Sequence, residues 1–208
     1  HLSCDDQLPK QVPAVRMVDP GLTQGMAEYA LWGCLTLQRQ MLTLRNQQKA
    51  KAWEQVHARL ASDTVVGVLG YGVLGSKAAE ALKSAGFQVE GWARSPKPNA
   101  TVPMHVGQQG LSALAAKADI LFSVLPSTPD THHLINTEFL AACKPGVGIV
   151  NGGRGTLIDD DALIAALDSG QASGAVLDVF HSEPLPSDHP YWWHDKVFIT
   201  PHVAALTY

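Results

Sequence analysis

Cysteine is scarce in this chain: Cys4, Cys34 and Cys143 are odd in number and far apart among 208 residues. They read as reduced thiols of a cytoplasmic protein, with buried filler as the role of Cys34 and Cys143, rather than as a disulfide framework. Charge is thin as well, at 16% of residues, and the formal net charge is −4. That balance gives no electrostatic reason to expect nucleic acid or an anionic membrane as a partner. No run approaches the roughly twenty apolar residues of a membrane span. The opening His1-Leu2-Ser3-Cys4-Asp5-Asp6 lacks the basic start and apolar core of a signal peptide. Internal repeats and low-complexity tracts are also missing. What remains is an ordinary globular composition, 46% apolar, with length enough for one large domain or two small ones around a sizeable core.

What the chain does have is Val65-Val66-Gly67-Val68-Leu69-Gly70-Tyr71-Gly72-Val73-Leu74-Gly75, an apolar run closing on G-x-G-x-x-G, followed by helix-forming residues 76–85. Strand, glycine turn and helix in that order hold a dinucleotide pyrophosphate. Gly70 permits the tight turn, Gly72 lets backbone approach the phosphates, and Gly75 lets helix and strand pack closely. Glycines after a strand are often only a turn, so the weight of the motif depends on the rest of the chain. Residues 1–20, with Pro9, Pro13 and Pro20, read as a connection carrying one short strand at 14–17. From Thr23 a helical pattern places Met26, Tyr29, Ala30, Gly33, Cys34 and Leu37 on one face. It continues towards Leu60 with a break expected near 45–49. Arg45, Lys49, Lys51 and Arg59 read as a solvated face, and Trp53 and Leu60 as packing against the body of the protein.

Beyond Asp63 apolar strands are expected at 64–69, 88–92, 104–106, 120–124, 147–151, 174–178 and 197–199, with helices at 76–85, 111–117, 136–142 and 160–169. Short apolar strands separated by helices predict an α/β fold, a doubly wound Rossmann-type parallel sheet covered on both faces. Asp159-Asp160-Asp161 reads as capping of the helix it precedes, ahead of metal binding.

In such a sheet ligands bind beyond the carboxyl ends of the strands. The tip of the second strand is Ala93, where a carboxylate would bind ribose hydroxyls and favour NAD; Arg94, Ser95 and Lys97 follow. An uncharged tip followed by cations and a hydroxyl suits a 2′-phosphate, so NADP(H) is the preferred dinucleotide, with NAD(H) still possible. The competing reading leaves Arg94 and Lys97 as loop charges in water. After the fourth strand Leu125 and Pro126 open a rigid turn through Thr131 that would wall the cofactor. Gly152 and Gly153 hold Arg154 out after the fifth strand. Glu183 follows the sixth and His202 the seventh. Arginine, glutamate and histidine at three successive strand ends are hard to attribute to packing. His132, His133, His181, His189 and His194 show no metal-ligand spacing. Trp192 and Trp193 read as a hydrophobic plug beside the last strand.

From about Pro13 to Tyr208 the chain resembles the D-isomer-specific 2-hydroxyacid dehydrogenase family, and within it the glyoxylate/hydroxypyruvate reductase A group. The segments that carry the resemblance are Gly70-Tyr71-Gly72-Val73-Leu74-Gly75, Asn151-Gly152-Gly153-Arg154-Gly155, Leu177-Asp178-Val179-Phe180 with Glu183-Pro184, and Pro201-His202-Val203-Ala204-Ala205. Asp19-Pro20-Gly21-Leu22 and Met26-Ala27-Glu28-Tyr29 resemble the start of that group's long dimerisation helices. The resemblance implies that His202 protonates the 2-keto oxygen as hydride arrives and takes the proton back in reverse. Glu183 would favour the charged imidazole. Arg154 would bind the substrate carboxylate and polarise the carbonyl. It further implies cofactor contacts at Val73 and Leu74 on the pyrophosphate, at Asp178 near the carboxamide, and at Thr131, Gly152, Gly153, Arg154, His202 and Ala204.

The family also carries a substrate-binding domain, little of which has a counterpart here. Residues 1–20 then read as a connection from that domain and 21–208 as the dinucleotide-binding domain, with a homodimer formed through residues 22–60. The chain reads most simply as part of a larger reductase of small 2-keto acids. Two other functions use the same scaffold: a dinucleotide-sensing module resembling the C-terminal-binding-protein corepressors, and a dimerisation domain with a vestigial cleft.

Overall fold

The computed structural model describes residues 19–206; Cys4 and the expected strand at 14–17 lie outside them. Helices α1 (Pro20–Gln38) and α2 (Met41–Ala50) lead into β1 (Val65–Leu69), α3 (Val73–Ser84), β2 (Gln88–Ala93) and β3 (Met104–Val106). After α4 (Gly107–Lys117) come β4 (Ile120–Ser123), α5 (Thr137–Ala142), β5 (Val147–Asn151), α6 (Asp160–Ser169), β6 (Ala172–Leu177) and β7 (Val197–Ile199). The seven strands form one sheet in the order β3-β2-β1-β4-β5-β6-β7, and every pairing is parallel. Each strand falls within two residues of its expected limits, and the most buried of them, β1, β4 and β5, read as apolar runs.

Successive side chains of a strand point to opposite faces, and the core divides accordingly. Leu69, Leu121, Ile149 and Leu177 pack under α4, α5 and α6 with Leu114, Leu140, Leu163 and Leu167. Val66, Val68, Phe122, Val150 and Val176 pack under α1 and α3 with Met26, Tyr29, Ala30, Cys34, Ala78 and Leu82. Each fully buried leucine or valine contributes about 1.5–3 kcal/mol relative to exposure. Cys34 and Cys143 are free thiols inside this core, and burial pushes the Cys143 thiol up to about 12. The acidic run caps as expected, with Asp159 Oδ1 accepting the Ala162 N–H at 3.1 Å.

Four expectations fail. The helical stretch breaks at Arg39 and Gln40 rather than near 45–49, because Gln40 adopts a left-handed conformation (φ 55°). It then ends at Ala50, with Lys51 left-handed as well. Trp53 and Leu60 lie in an irregular segment and are 96% and 64% exposed. That segment is tied back to the end of α1 and the cap of α2 by side chains, with the Gln38 and Gln40 amides donating to the carbonyls of Arg59 and His57. Arg45 is no solvated cation: Nη2 donates to the carbonyls of Asp195 and Val197 at 3.2 Å, and the guanidinium lies 5.5 Å from the Phe198 ring centroid. Arg59 pairs with Asp119 at 2.7 Å. Finally, the plug beside the last strand is Tyr191, which is 1% exposed, whereas Trp192 and Trp193 are 49% and 68% exposed.

Candidate active site

The carboxyl edge of the sheet carries the glycine turn after β1 and the loops of Arg94, Thr131, Arg154, Glu183 and His202. Between β1 and α3 the chain turns at Gly70, whose φ of 104° is closed to residues with a side chain. The N–H groups of Gly70 and Tyr71 both donate to the Trp92 carbonyl, at 3.0 and 3.2 Å, fastening the turn to β2. An ideal Cβ on Gly75 would stand 1.9 Å from the Gly70 carbonyl oxygen, so glycine is required for the helix to approach. At Gly72 a Cβ would meet nothing within 4 Å. Gly72 caps α3 without a side-chain hydrogen bond, and the first turn holds no acid. Val73 is 60% exposed. The first-turn N–H groups of α3 thus face open space, which fits an anionic pyrophosphate.

Ala93 is the last residue of β2 and is buried, while Arg94, Ser95 and Lys97 are exposed. Arg94 Nη1 donates to Asp130 Oδ2 at 3.1 Å in a pair open to water on both sides. Asp130 belongs to the turn after β4, which Thr131 fixes from inside: its hydroxyl donates to the Pro126 carbonyl at 2.6 Å and accepts the Thr128 N–H at 2.9 Å. Leu125 is buried beneath that turn and Pro126 is exposed on it.

After β5, Asn151 Oδ1 accepts the Gly153 N–H at 3.1 Å and Nδ2 donates to the Arg154 carbonyl at 3.0 Å. Gly152 is pinned by its N–H to Ser123. Arg154 is exposed, and its Nη1 reaches back to the Gly153 carbonyl at 2.6 Å. An added Cβ on Gly155 would lie 1.9 Å from the Phe180 carbonyl carbon, so this loop presses directly on the loop after β6.

There Glu183 accepts the Phe180 N–H on Oε1 at 3.0 Å and holds His202 Nδ1 on Oε2 at 2.6 Å. A carboxylate can only accept, so Nδ1 carries the proton and the tautomer is set. The imidazole is half exposed and Nε2 points away from that bond. Desolvation works to raise the Glu183 carboxyl, but the His202 and Phe180 hydrogen bonds and the charges of His202 and Arg154 hold it below the ordinary carboxylate value.

His202 sits in a left-handed turn (φ 55°), a conformation unfavourable by about 1–2 kcal/mol for a residue with a Cβ. Asp178, 1% exposed at the end of β6, holds that turn. Its carbonyl accepts the His202 N–H at 2.9 Å. Its Oδ1 accepts from Thr200 Oγ1 at 2.5 Å and Val203 N at 2.8 Å, and its Oδ2 from Ala204 N at 2.8 Å. The Ala204 N–H and the Asp178 carboxylate are thereby committed to the turn itself.

A family model described as D-isomer specific 2-hydroxyacid dehydrogenase, NAD binding domain, matches residues 31–204. The chain belongs to this dehydrogenase family. Among solved structures it is 42% identical to a D-isomer specific 2-hydroxyacid dehydrogenase of Xanthobacter autotrophicus Py2 in complex with NADPH and MES, with a TM-score of 0.94, covering 100% of this chain and 85% of that one. It is 37% identical, TM-score 0.92, to the NADPH-dependent glyoxylate/hydroxypyruvate reductase of Sinorhizobium meliloti in complex with NADP and sulfate, covering 99% of this chain and 66% of that one. A probable 2-hydroxyacid dehydrogenase of Rhizobium etli CFN 42 with NADP is 36% identical, TM-score 0.91, over 98% of this chain and 65% of that one. The chain therefore spans about two thirds of the length of the latter two dehydrogenases.

The family sheet thus brings Arg154, Glu183 and His202 to the ends of three adjacent strands, beside the turn that fits a dinucleotide. Motif reading missed three residues of this edge: Asp130, which engages Arg94, and Tyr29 and Thr200, which lie behind the His202 turn. A carboxylate in a proline-bounded turn was the one visible signal for Asp130. Tyr29 gave none beyond a hydroxyl on an apolar helix face.

Proposed function

We propose that this chain is the dinucleotide-binding part of an oxidoreductase that reduces a small 2-keto acid of the glyoxylate or hydroxypyruvate type to the 2-hydroxy acid with NADPH. The observation that carries the reading is the 2.6 Å pair of His202 Nδ1 and Glu183 Oε2, with Arg154 exposed one strand away. When bound, the nicotinamide supplies the hydride. His202 Nε2 gives its proton to the carbonyl oxygen of the substrate, and Glu183 stabilises the imidazolium before that transfer. Arg154 grips the substrate carboxylate with its planar fork and draws charge from the carbonyl. Gly70 to Gly75, with the first-turn N–H groups of Val73 and Leu74, hold the pyrophosphate. Leu125, Pro126, Gly152 and Gly153 wall the site, and Thr131, Asp178 and Ala204 shape the loops around it.

Arg94, Ser95 and Lys97 receive the 2′-phosphate, which is the basis of the NADPH preference; similar dehydrogenases solved with NADPH or NADP support it. Residues 1–20 join this domain to a substrate domain. Residues 22–60 form a homodimer contact, a reading supported by the exposed Trp32, Met41, Trp53 and Leu60 in that stretch. The free buried thiols suit a cytoplasmic protein.

The test is steady-state oxidation of NADPH by the whole enzyme with a panel of 2-keto acids, for wild type and His202→Ala. The substitution should lower kcat by about 10²- to 10⁴-fold while tryptophan fluorescence shows NADPH affinity unchanged within about twofold. Equal loss of turnover and binding would remove the acid–base role. Dinucleotide binding without turnover of any 2-keto acid would mark a sensing module instead.

A further inference from the structure

Behind the His202 turn runs a chain of hydroxyls that reaches a helix remote in sequence. Tyr29 Oη lies 2.8 Å from Thr200 Oγ1, and Thr200 Oγ1 lies 2.5 Å from Asp178 Oδ1. The directions are fixed by chemistry. Thr200 Oγ1 donates its single proton to Asp178 Oδ1, so the Tyr29 hydroxyl must donate to Thr200. Burial raises the Tyr29 hydroxyl far above the ordinary phenol value, with the Asp178 charge adding to that and the Thr200 bond opposing it. Tyr29 therefore remains a donor throughout any working pH.

The end of this chain is where backbone strain is held. Asp178 Oδ1 also takes the Val203 N–H and Oδ2 the Ala204 N–H, the two residues after left-handed His202. Thr200 stands two residues before it. The network thus grips the turn on both flanks of the imidazole. Such a conformation persists only where its surroundings over-determine it. The far end is equally fixed, since the Tyr29 ring packs on Trp32 at 5.3 Å between centroids and Trp32 meets Phe198 of β7 edge-on at 5.1 Å.

We propose that Tyr29 is a positioning residue for His202, its hydroxyl holding Thr200 and Asp178 in the register that keeps the imidazole on Glu183. This rests on the catalytic reading of His202 given above. Tyr29→Phe keeps the ring and removes only the donor, and the unfolding transition should stay close to that of wild type. In the whole enzyme kcat should fall about 3- to 10-fold, the worth of one buried hydrogen bond, with the Kd for NADPH unchanged. Amide hydrogen exchange at Val203 and Ala204 in the cofactor-free protein should quicken by a similar factor. Thr200→Val, which cuts both links, should cost more than Tyr29→Phe, and Thr200→Ser should restore wild-type values. In a His202→Ala background Tyr29→Phe should have no further effect on kcat.

A full Tyr29→Phe effect persisting without His202, or an effect on NADPH binding in place of kcat, would overturn the proposal. So would unchanged kcat and unchanged exchange. If His202→Ala itself leaves turnover intact, the catalytic reading fails, and faster Val203 and Ala204 exchange in Tyr29→Phe would then report on the turn alone.

Discussion

Two glycines of the turn, Gly72 and Gly75, separate binding from folding when each is changed to alanine. A Cβ on Gly72 meets nothing within 4 Å, and its φ of −94° and ψ of −160° are open to alanine. Alanine is a poorer helix cap than glycine by about 0.5–1 kcal/mol, while the loss of unfolded-state freedom stabilises by about 0.4–1 kcal/mol. The two nearly cancel, so the urea midpoint of Gly72→Ala should match wild type. The methyl nevertheless fills space that the proposed pyrophosphate site needs. Losing one charge-assisted N–H contact of about 1.5–3 kcal/mol weakens NADPH binding about 10- to 100-fold.

Gly75→Ala does the opposite. Its Cβ begins 1.9 Å from the Gly70 carbonyl oxygen, so helix and turn must separate by about 1.5 Å to reach ordinary contact. The obstacle is backbone and cannot rotate aside, which places the cost at about 3 kcal/mol or more, the upper end for overpacking. That corresponds to a loss of about 6–12 °C in Tm for a domain of this size. Calorimetric titration with NADPH and urea unfolding read the two effects separately. NADPH affinity of Gly72→Ala within twofold of wild type would show that the dinucleotide does not lie on this turn. Wild-type stability of Gly75→Ala would refute the close approach of α3 to β1.

Two further outcomes follow from charge. Asp130 holds Arg94 at 3.1 Å and would stand as a like charge beside a 2′-phosphate; the exposed pair itself is worth at most about 1 kcal/mol. Asp130→Asn should therefore tighten NADPH binding about 2- to 5-fold and leave NADH unchanged, as fluorescence titration with both will show. The Glu183 carboxyl is held below its ordinary value near 4.5, so its contribution to stability is complete above about pH 4.5 and is lost as pH falls through the lower folded value. Urea unfolding from pH 7 to pH 3 should show wild type losing more stability below pH 4.5 than Glu183→Gln does; equal losses would deny the carboxylate its partners.

Much of this architecture was legible because its signals are contiguous. A strand of five buried residues and a glycine turn are both short segments that announce themselves without reference to the remainder of the chain. The motifs around Arg154, Glu183 and His202 belong to the same class. Failures occurred where a single backbone state or a distant surface decides. Gln40 adopts its left-handed φ between two stretches that both favour helix, and nothing in its composition marks it. Trp53 and Leu60 have the side chains of a core but no apolar face opposite them. Tyr191 and Trp192 follow one another in a 3₁₀ turn, Pro190–Trp192, that Trp193 caps, and which of the three turns inward depends on where Asp160 stands to accept the Tyr191 hydroxyl. The link from Tyr29 to Thr200 spans 171 residues and exists only once α1 is laid against β7.

Strand order explains why the chemistry converges. β4, β5, β6 and β7 follow one another across the sheet from β1, so the loop after each lies about 4.8 Å from the next. The loop after β6 is central to the last three, and Glu183 in it touches His202 directly while feeling Arg154 through space, the two cationic influences that depress its carboxyl. Asp178 is the first residue after the same strand, and its carboxylate sets the His202 turn. One strand thus fixes both the partner and the backbone of the histidine. Were β7 paired instead beside β3, its loop would stand about 30 Å from that of β6, and neither contact could form.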